Sequence, residues 1–134
     1  MKYTTNRKSE HGGAGVKLTI VLAIIFLIAH AGYNYIPVAY EGENFKQEMQ
    51  TAVVQGMAVP SGMTAVDMVK GKLQKAIASN NIPSDVVVQV KPTNNSVTAH
   101  VSYTKKVWIL PFGIYKYNYN FDHTATPTGF LLKE

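Results

Sequence analysis

The 134-residue sequence predicts an α+β fold: an N-terminal single transmembrane helix followed by two helices packed on a three- to four-stranded antiparallel sheet. Three observations predict it. One long apolar run occupies residues 17–40. Two later stretches, 45–57 and 64–79, repeat apolar residues at the three-to-four spacing of one helix face. From residue 86 onward apolar residues recur with period two. Strands gathered after helices imply a sheet with the helices on one face. The expected organisation is a flexible cytoplasmic tail over 1–16, a transmembrane helix over 17–37 and a small α+β extracytoplasmic domain over 38–134.

Residues 1–15 are polar and end in a glycine-rich stretch that cannot bury enough apolar surface to offset chain entropy. His11 reads there as a solvated residue. Residues 18–29 then carry no charge, and Thr19 is the one polar residue. Extended to Ile36, the run makes a helix of about 28 Å, enough for a hydrocarbon core of about 30 Å with interfacial help. Tyr33, Tyr35 and Tyr40 cluster at its end, where an aromatic belt lies. Pro37 is expected to stop the helix, because it lacks the N–H and clashes with the preceding turn. The run has a second reading. Basic residues, an apolar stretch and the small-x-small match Ala29-His30-Ala31 also describe a cleaved secretory signal.

The next helix, 45–57, presents Phe45, Met49, Ala52, Val53 and Met57 on one face. Residues 59–62 form a turn. Thr64 is placed to cap the following helix, with Asp67 three residues on. Its apolar face is Val66, Val69, Leu73, Ala76 and Ile77, and Asn80, Asn81 and Pro83 end it. Val86, Val88 and Val90 make one strand face, and 92–96 reads as a hairpin loop. Val97, Ala99, Val101 and Tyr103 alternate with Thr98, His100 and Ser102 as a half-buried strand. A third strand is expected to begin at Lys106, with Pro111-Phe112-Gly113 as a turn or bulge and extended structure resuming over 114–121. Residues 124–134 read as a weak edge segment or tail.

Charge orients the chain. The net charge is +5, with Lys2, Arg7, Lys8 and Lys17 up to the start of the run, and Glu41, Glu43 and Glu48 just after it. That asymmetry predicts a cytoplasmic N-terminus and a head on the far side of the membrane. No arginine follows Arg7, so the later lysines read as a solvated surface and nucleic acid is not an expected partner. Cysteine is absent, which excludes disulfides, thiolate metal sites and a cysteine nucleophile.

Few residues could carry chemistry. No phosphate-binding, dinucleotide or zinc pattern is present. Asp122-His123 is the one adjacent acid–imidazole pair after the span, and strand neighbours point to opposite faces. His30 is the one candidate cofactor-binding residue: an imidazole in a span can bind a haem or chlorophyll metal, or hydrogen-bond a neighbouring helix. The plainer reading is an interfacial histidine wet by headgroups. Tyr115, Tyr117, Tyr119 and Phe121 form an aromatic row that either covers the helices or stacks on a ligand. Trp108 and Phe112 extend the same core or lean on the membrane interface. No catalytic residue, metal site or cofactor is expected.

The layout of basic leader ending in glycine, hydrophobic helix and α+β head resembles the pilin-like proteins, with 15–20 (GVKLTI) resembling their leader-cleavage site. Ile20 stands where those proteins usually carry glutamate. The chain is also similar, over about 16–122, to a family of small bacterial single-pass membrane proteins known as a domain of unknown function. The residues that carry this second resemblance are the span, 36–41 (IPVAYE), 101–103 (VSY) and the strand ending at Phe121-Asp122. It implies a bitopic envelope protein and no site residues. The expected function is that of a non-enzymatic, membrane-anchored accessory or structural subunit, with partners within a membrane complex or a homo-oligomer. The alternatives are a pilin-like subunit assembling through its apolar helix, and a binding domain released by signal peptidase after Ala31.

Overall fold

The computed structural model describes residues 13–59, 62–94 and 96–127. Of the tail expected over 1–16, residues 1–12, including His11, lie outside the described residues, as does the end of the chain beyond 127, whereas residues 13–16 are helical and continuous with the apolar run. The chain forms a long helix α1 (Gly13–Gln55), a second helix α2 (Ala65–Ser79) and strands β1 (Val87–Thr93), β2 (Ser96–Trp108) and β3 (Lys116–Ala125). The three strands make one antiparallel sheet in the order β1-β2-β3. The α+β class is as expected.

One boundary differs from the expectation. Pro37 does not end the first helix, which runs through it for 43 residues, about 64 Å. The expected separate helix over 45–57 is therefore the C-terminal part of α1. Proline inside a helix deletes one hydrogen bond and costs about 3 kcal/mol. Contacts on both sides of it offset that cost. Before it, Tyr35 packs edge-on against Tyr117 and Tyr119, at centroid distances of 6.0 and 6.3 Å. After it, Phe45, Met49, Ala52 and Val53 are buried, and each large apolar side chain buried is worth about 1.5–3 kcal/mol. A break at Pro37 would take one group or the other off the sheet.

The core lies between the C-terminal half of α1, α2 and one face of the sheet. Phe45, Met49, Val53, Val69, Leu73 and Val101 are its large, fully buried side chains. Phe45 contacts Phe121 and Tyr103 edge-on, and those two rings stack across strands at 4.9 Å. Met57, expected on the buried face, is exposed, because α1 ends at Gln55 and the chain turns away. The Thr64 cap forms as read: Thr64 Oγ1 accepts from the Asp67 N–H at 3.1 Å and donates to its carboxylate at 2.6 Å. At the other end of α2, Asn80 is buried and donates to Ala76 O and to Glu48 of α1.

The expected third strand starting at Lys106 is the end of β2. Nothing between Tyr103 and Lys106 breaks the ladder, so β2 runs 13 residues to Trp108 and keeps pairing with β3 to Trp108↔Lys116. Pro111–Gly113 is the turn itself, with Phe112 at φ 59 and Gly113 at φ 70. The sheet has three strands because these residues reverse the chain. β3 also runs on to Ala125, past the expected end at 121.

Candidate functional site

The site candidates sort along the axis of α1. Its N-terminal portion is the first. This helix is long and apolar enough to cross a membrane, and its apolar window packs against nothing in the described chain. Leu18, Ile20, Leu22, Ile25, Phe26 and Ile28 are all exposed, against the complete burial of Phe45 and Met49 further along. A helix apolar all round is suited to lipid or to other apolar helices.

His30 sits where this bare segment meets the head. Its Nδ1 lies 3.2 Å from the carbonyl oxygen of Ile109, at the end of the β2–β3 hairpin. A carbonyl only accepts, so the tautomer protonated on Nδ1 donates this bond and leaves the lone pair on Nε2. Asn34, one turn on, donates to His30 O at 2.8 Å. The imidazole is therefore fixed by the head's backbone. That is how a ligating histidine is held and also how a structural one is. Among the described residues no group of three or more His, Asp or Glu side chains is placed to hold a metal ion.

Further along, Glu41 of α1 pairs with Lys105 of β2 at 2.8 Å, and Asn81 donates to the same carboxylate at 3.0 Å. Burial alone would raise the Glu41 pKa. The hydrogen bonds from Lys105 and Asn81 and the lysine charge outweigh it and hold the carboxyl below its usual value. Tyr103, beside this pair, is pushed up to about 12 by burial, with the charges of Tyr119 and Glu41 adding to it. Tyr119 is raised as well, mainly by burial. These shifts follow from packing between α1 and the sheet, and none of the three groups lines an enclosed cavity.

The outer face of the sheet is open. Asp122 and His123 point to opposite faces, as expected for strand neighbours. His123 lies on the core side near Phe121, and Asp122 reaches across to His100 Nε2 at 2.9 Å on the exposed side. The imidazole that meets Asp122 is His100, which adjacency in the sequence does not pair with it. The signal that finds His100 is the hairpin register, Ser102↔Asp122, which puts His100 on the adjoining diagonal. Ser102 shares that face, and no hydrogen bond among the described residues joins it to the pair. Three surface depressions among the described residues are shallow. One lies here, lined by Asp85, Ser102, Thr104, Asn120 and Asp122; one lies between α1 and α2; and one lies beside the β1–β2 turn.

The aromatic row divides. Phe121 is buried and Tyr119 half-buried against α1, whereas Tyr117 and Tyr115 are more than two-fifths exposed. Trp108 and Phe112 do not belong to the core: they are 48% and 97% exposed. Comparison with protein-family models, with curated proteins and with solved structures gives no significant match.

Proposed function

We propose that the protein is a single-pass, membrane-anchored accessory or structural subunit. Its apolar helix would cross a bacterial cytoplasmic membrane with the N-terminus inside, presenting the α+β head on the outer side. The observation that carries this reading is the division of α1. One continuous helix is bare and apolar over its first half and built into a packed head over its second. A free span followed without a linker by a folded head transmits the position of the head rigidly to the membrane. The charge balance supports the orientation, and His30 ties the head to the boundary of the apolar segment through Ile109 O. The open, polar sheet face with its shallow depressions suits contact with another protein better than enclosure of a small substrate. The test is native purification from membranes with the intact mass of the assembly and identification of co-purifying chains. A strictly monomeric species without a partner would contradict the subunit reading.

The exposure of the whole apolar half of α1 also favours a second reading, the pilin-like one. There other copies of the helix, in place of lipid, would cover Leu18 to Ile28. N-terminal sequencing separates the two: a mature chain starting at Val16 supports assembly through the helix, and an intact Met1 removes it. Release after Ala31 would cut α1 in the middle of its contact with the hairpin, between His30 and Tyr35.

A further inference from the structure

The β2–β3 hairpin runs alongside α1, and successive contacts fix its direction. Gln50 donates to Thr126 O at 2.8 Å. Phe45 meets Phe121 at 5.6 Å, Glu41 meets Lys105 at 2.8 Å, Tyr35 meets Tyr117 at 6.0 Å and His30 meets Ile109 O at 3.2 Å. Moving toward the N-terminus of α1 is thus moving toward the tip of the hairpin. The tip lies past Ile109 and is closed by the N–H groups of Ile109 and Leu110, both bonded to Tyr115 O. It therefore lies level with the turn of α1 before His30, inside the apolar segment.

The residues at that level are apolar and point away from the protein. Phe112 is 97% exposed and Ile114 73%, with Trp108 and Tyr115 about half exposed. Phe112 holds a left-handed backbone, uncommon for an aromatic residue. Trp108 lies over Gly113, where a Cβ would collide with the indole. Lys116 Nζ sits 3.9 Å from the Trp108 ring centre at the base of the tip. Apolar residues at a turn, with Trp, Tyr and Lys immediately behind them, match the order of environments met on leaving a bilayer core through its headgroups.

We propose that the tip of this hairpin, Phe112 and Ile114 foremost, inserts into the outer leaflet of the same bilayer that α1 crosses. Its occupant is phospholipid: acyl chains around Phe112 and Ile114, and headgroup phosphate near Lys116. The head is then held to the membrane at two points, α1 and the hairpin, which fixes its rotation about the helix axis. The proposal rests on the reading of α1 as a membrane span.

Trp108 is the single tryptophan, so the unaltered full chain carries its own probe. The protein is reconstituted in vesicles of phosphatidylethanolamine and phosphatidylglycerol containing lipids brominated either near the headgroup or near the chain end. Trp108 emission is expected to be quenched by the shallow brominated lipid more than by the deep one and to be shielded from iodide. Phe112→Asp is expected to lose that lipid quenching; because Phe112 is almost fully exposed, the variant keeps the fold. A fluorophore on Leu22→Cys, the only thiol in its variant, reports the span separately. Lipid exposure at residue 22 with Trp108 quenched by iodide and not by lipid overturns the insertion while leaving the anchor intact. Trp108 shielded from both quenchers overturns it in favour of a protein contact. Water exposure at residue 22 overturns the anchor and the insertion with it.

Discussion

At Gly42 the α1 backbone packs closely against Tyr119 of β3, and its substitution sets two effects of opposite sign against each other. In a helix interior, alanine is worth about 1 kcal/mol over glycine through propensity alone. Gly42 is buried, however, and the Tyr119 hydroxyl occupies the space a Cβ would take, with Tyr119 Cζ at 3.2 Å. The three nearest atoms all belong to this one side chain. Gly42→Ala must displace the Tyr119 ring and with it the edge contact to Tyr35. Overpacking of this kind costs about 1–3 kcal/mol, so the single variant is expected to be destabilised by about 1 kcal/mol after the propensity gain. In a Tyr119→Ala background the obstacle is gone, and the same change should stabilise by about 1 kcal/mol. The assay is denaturant unfolding of the full chain in detergent micelles, followed by near-ultraviolet circular dichroism. That signal reports the packed rings and not the micelle-bound helix. Equal, stabilising effects of Gly42→Ala in both backgrounds would refute the packing of α1 on β3.

Four further outcomes follow from the same geometry. Phe45→Ala removes a fully buried ring that touches Phe121 and Tyr103 and should cost about 3–5 kcal/mol in the same unfolding assay. Tyr103 is pushed up to about 12 in the folded head. As pH rises above the ordinary value of 10, the unfolded chain loses its proton first, so stability should fall between pH 10 and 12 by roughly 2–3 kcal/mol. Tyr103→Phe should remove most of that fall. The Glu41 carboxyl is held below its usual value, so its contribution is present above the ordinary carboxylate range and is lost as pH falls through the folded value. Acid titration of Glu41→Gln should show a flatter limb there. Thr64→Ala should cost about 1 kcal/mol by removing the cap on α2, measured by thermal unfolding.

The sequence announced the elements better than it announced their joints. Periodicity of 3.6 and 2.0 found the buried faces of α2 and β2, because burial on one side leaves that pattern directly. Val69, Leu73, Ala76, Val97, Ala99 and Val101 are buried as their spacing implies. Pro37 misled, because local propensity does not register the tertiary contacts that hold a helix on both sides of a proline. The 111–113 turn was legible as an interruption but not as a reversal. A bulge and a hairpin turn use the same Pro and Gly, and the outcome depends on cross-strand pairing with partners further along the chain. The His100–Asp122 pair was hidden for that reason, since it exists only in the register that the reversal sets. The bare state of residues 18–28 was the most legible feature of all: a charge-free apolar run has no polar face to turn outward.

The central claim is that α1 is one helix with two environments, lipid over its first half and protein over its second. Spin labels placed singly along α1 in the reconstituted full chain test it most directly, read by collision with oxygen and with a water-soluble nickel reagent. The account predicts high oxygen and low nickel accessibility at every position from 18 to 29. From 42 onward it predicts a helical period, with both reagents excluded at Phe45, Met49, Ala52 and Val53. Nickel accessibility across 18–29, or a break in the helical period at Pro37, would contradict it.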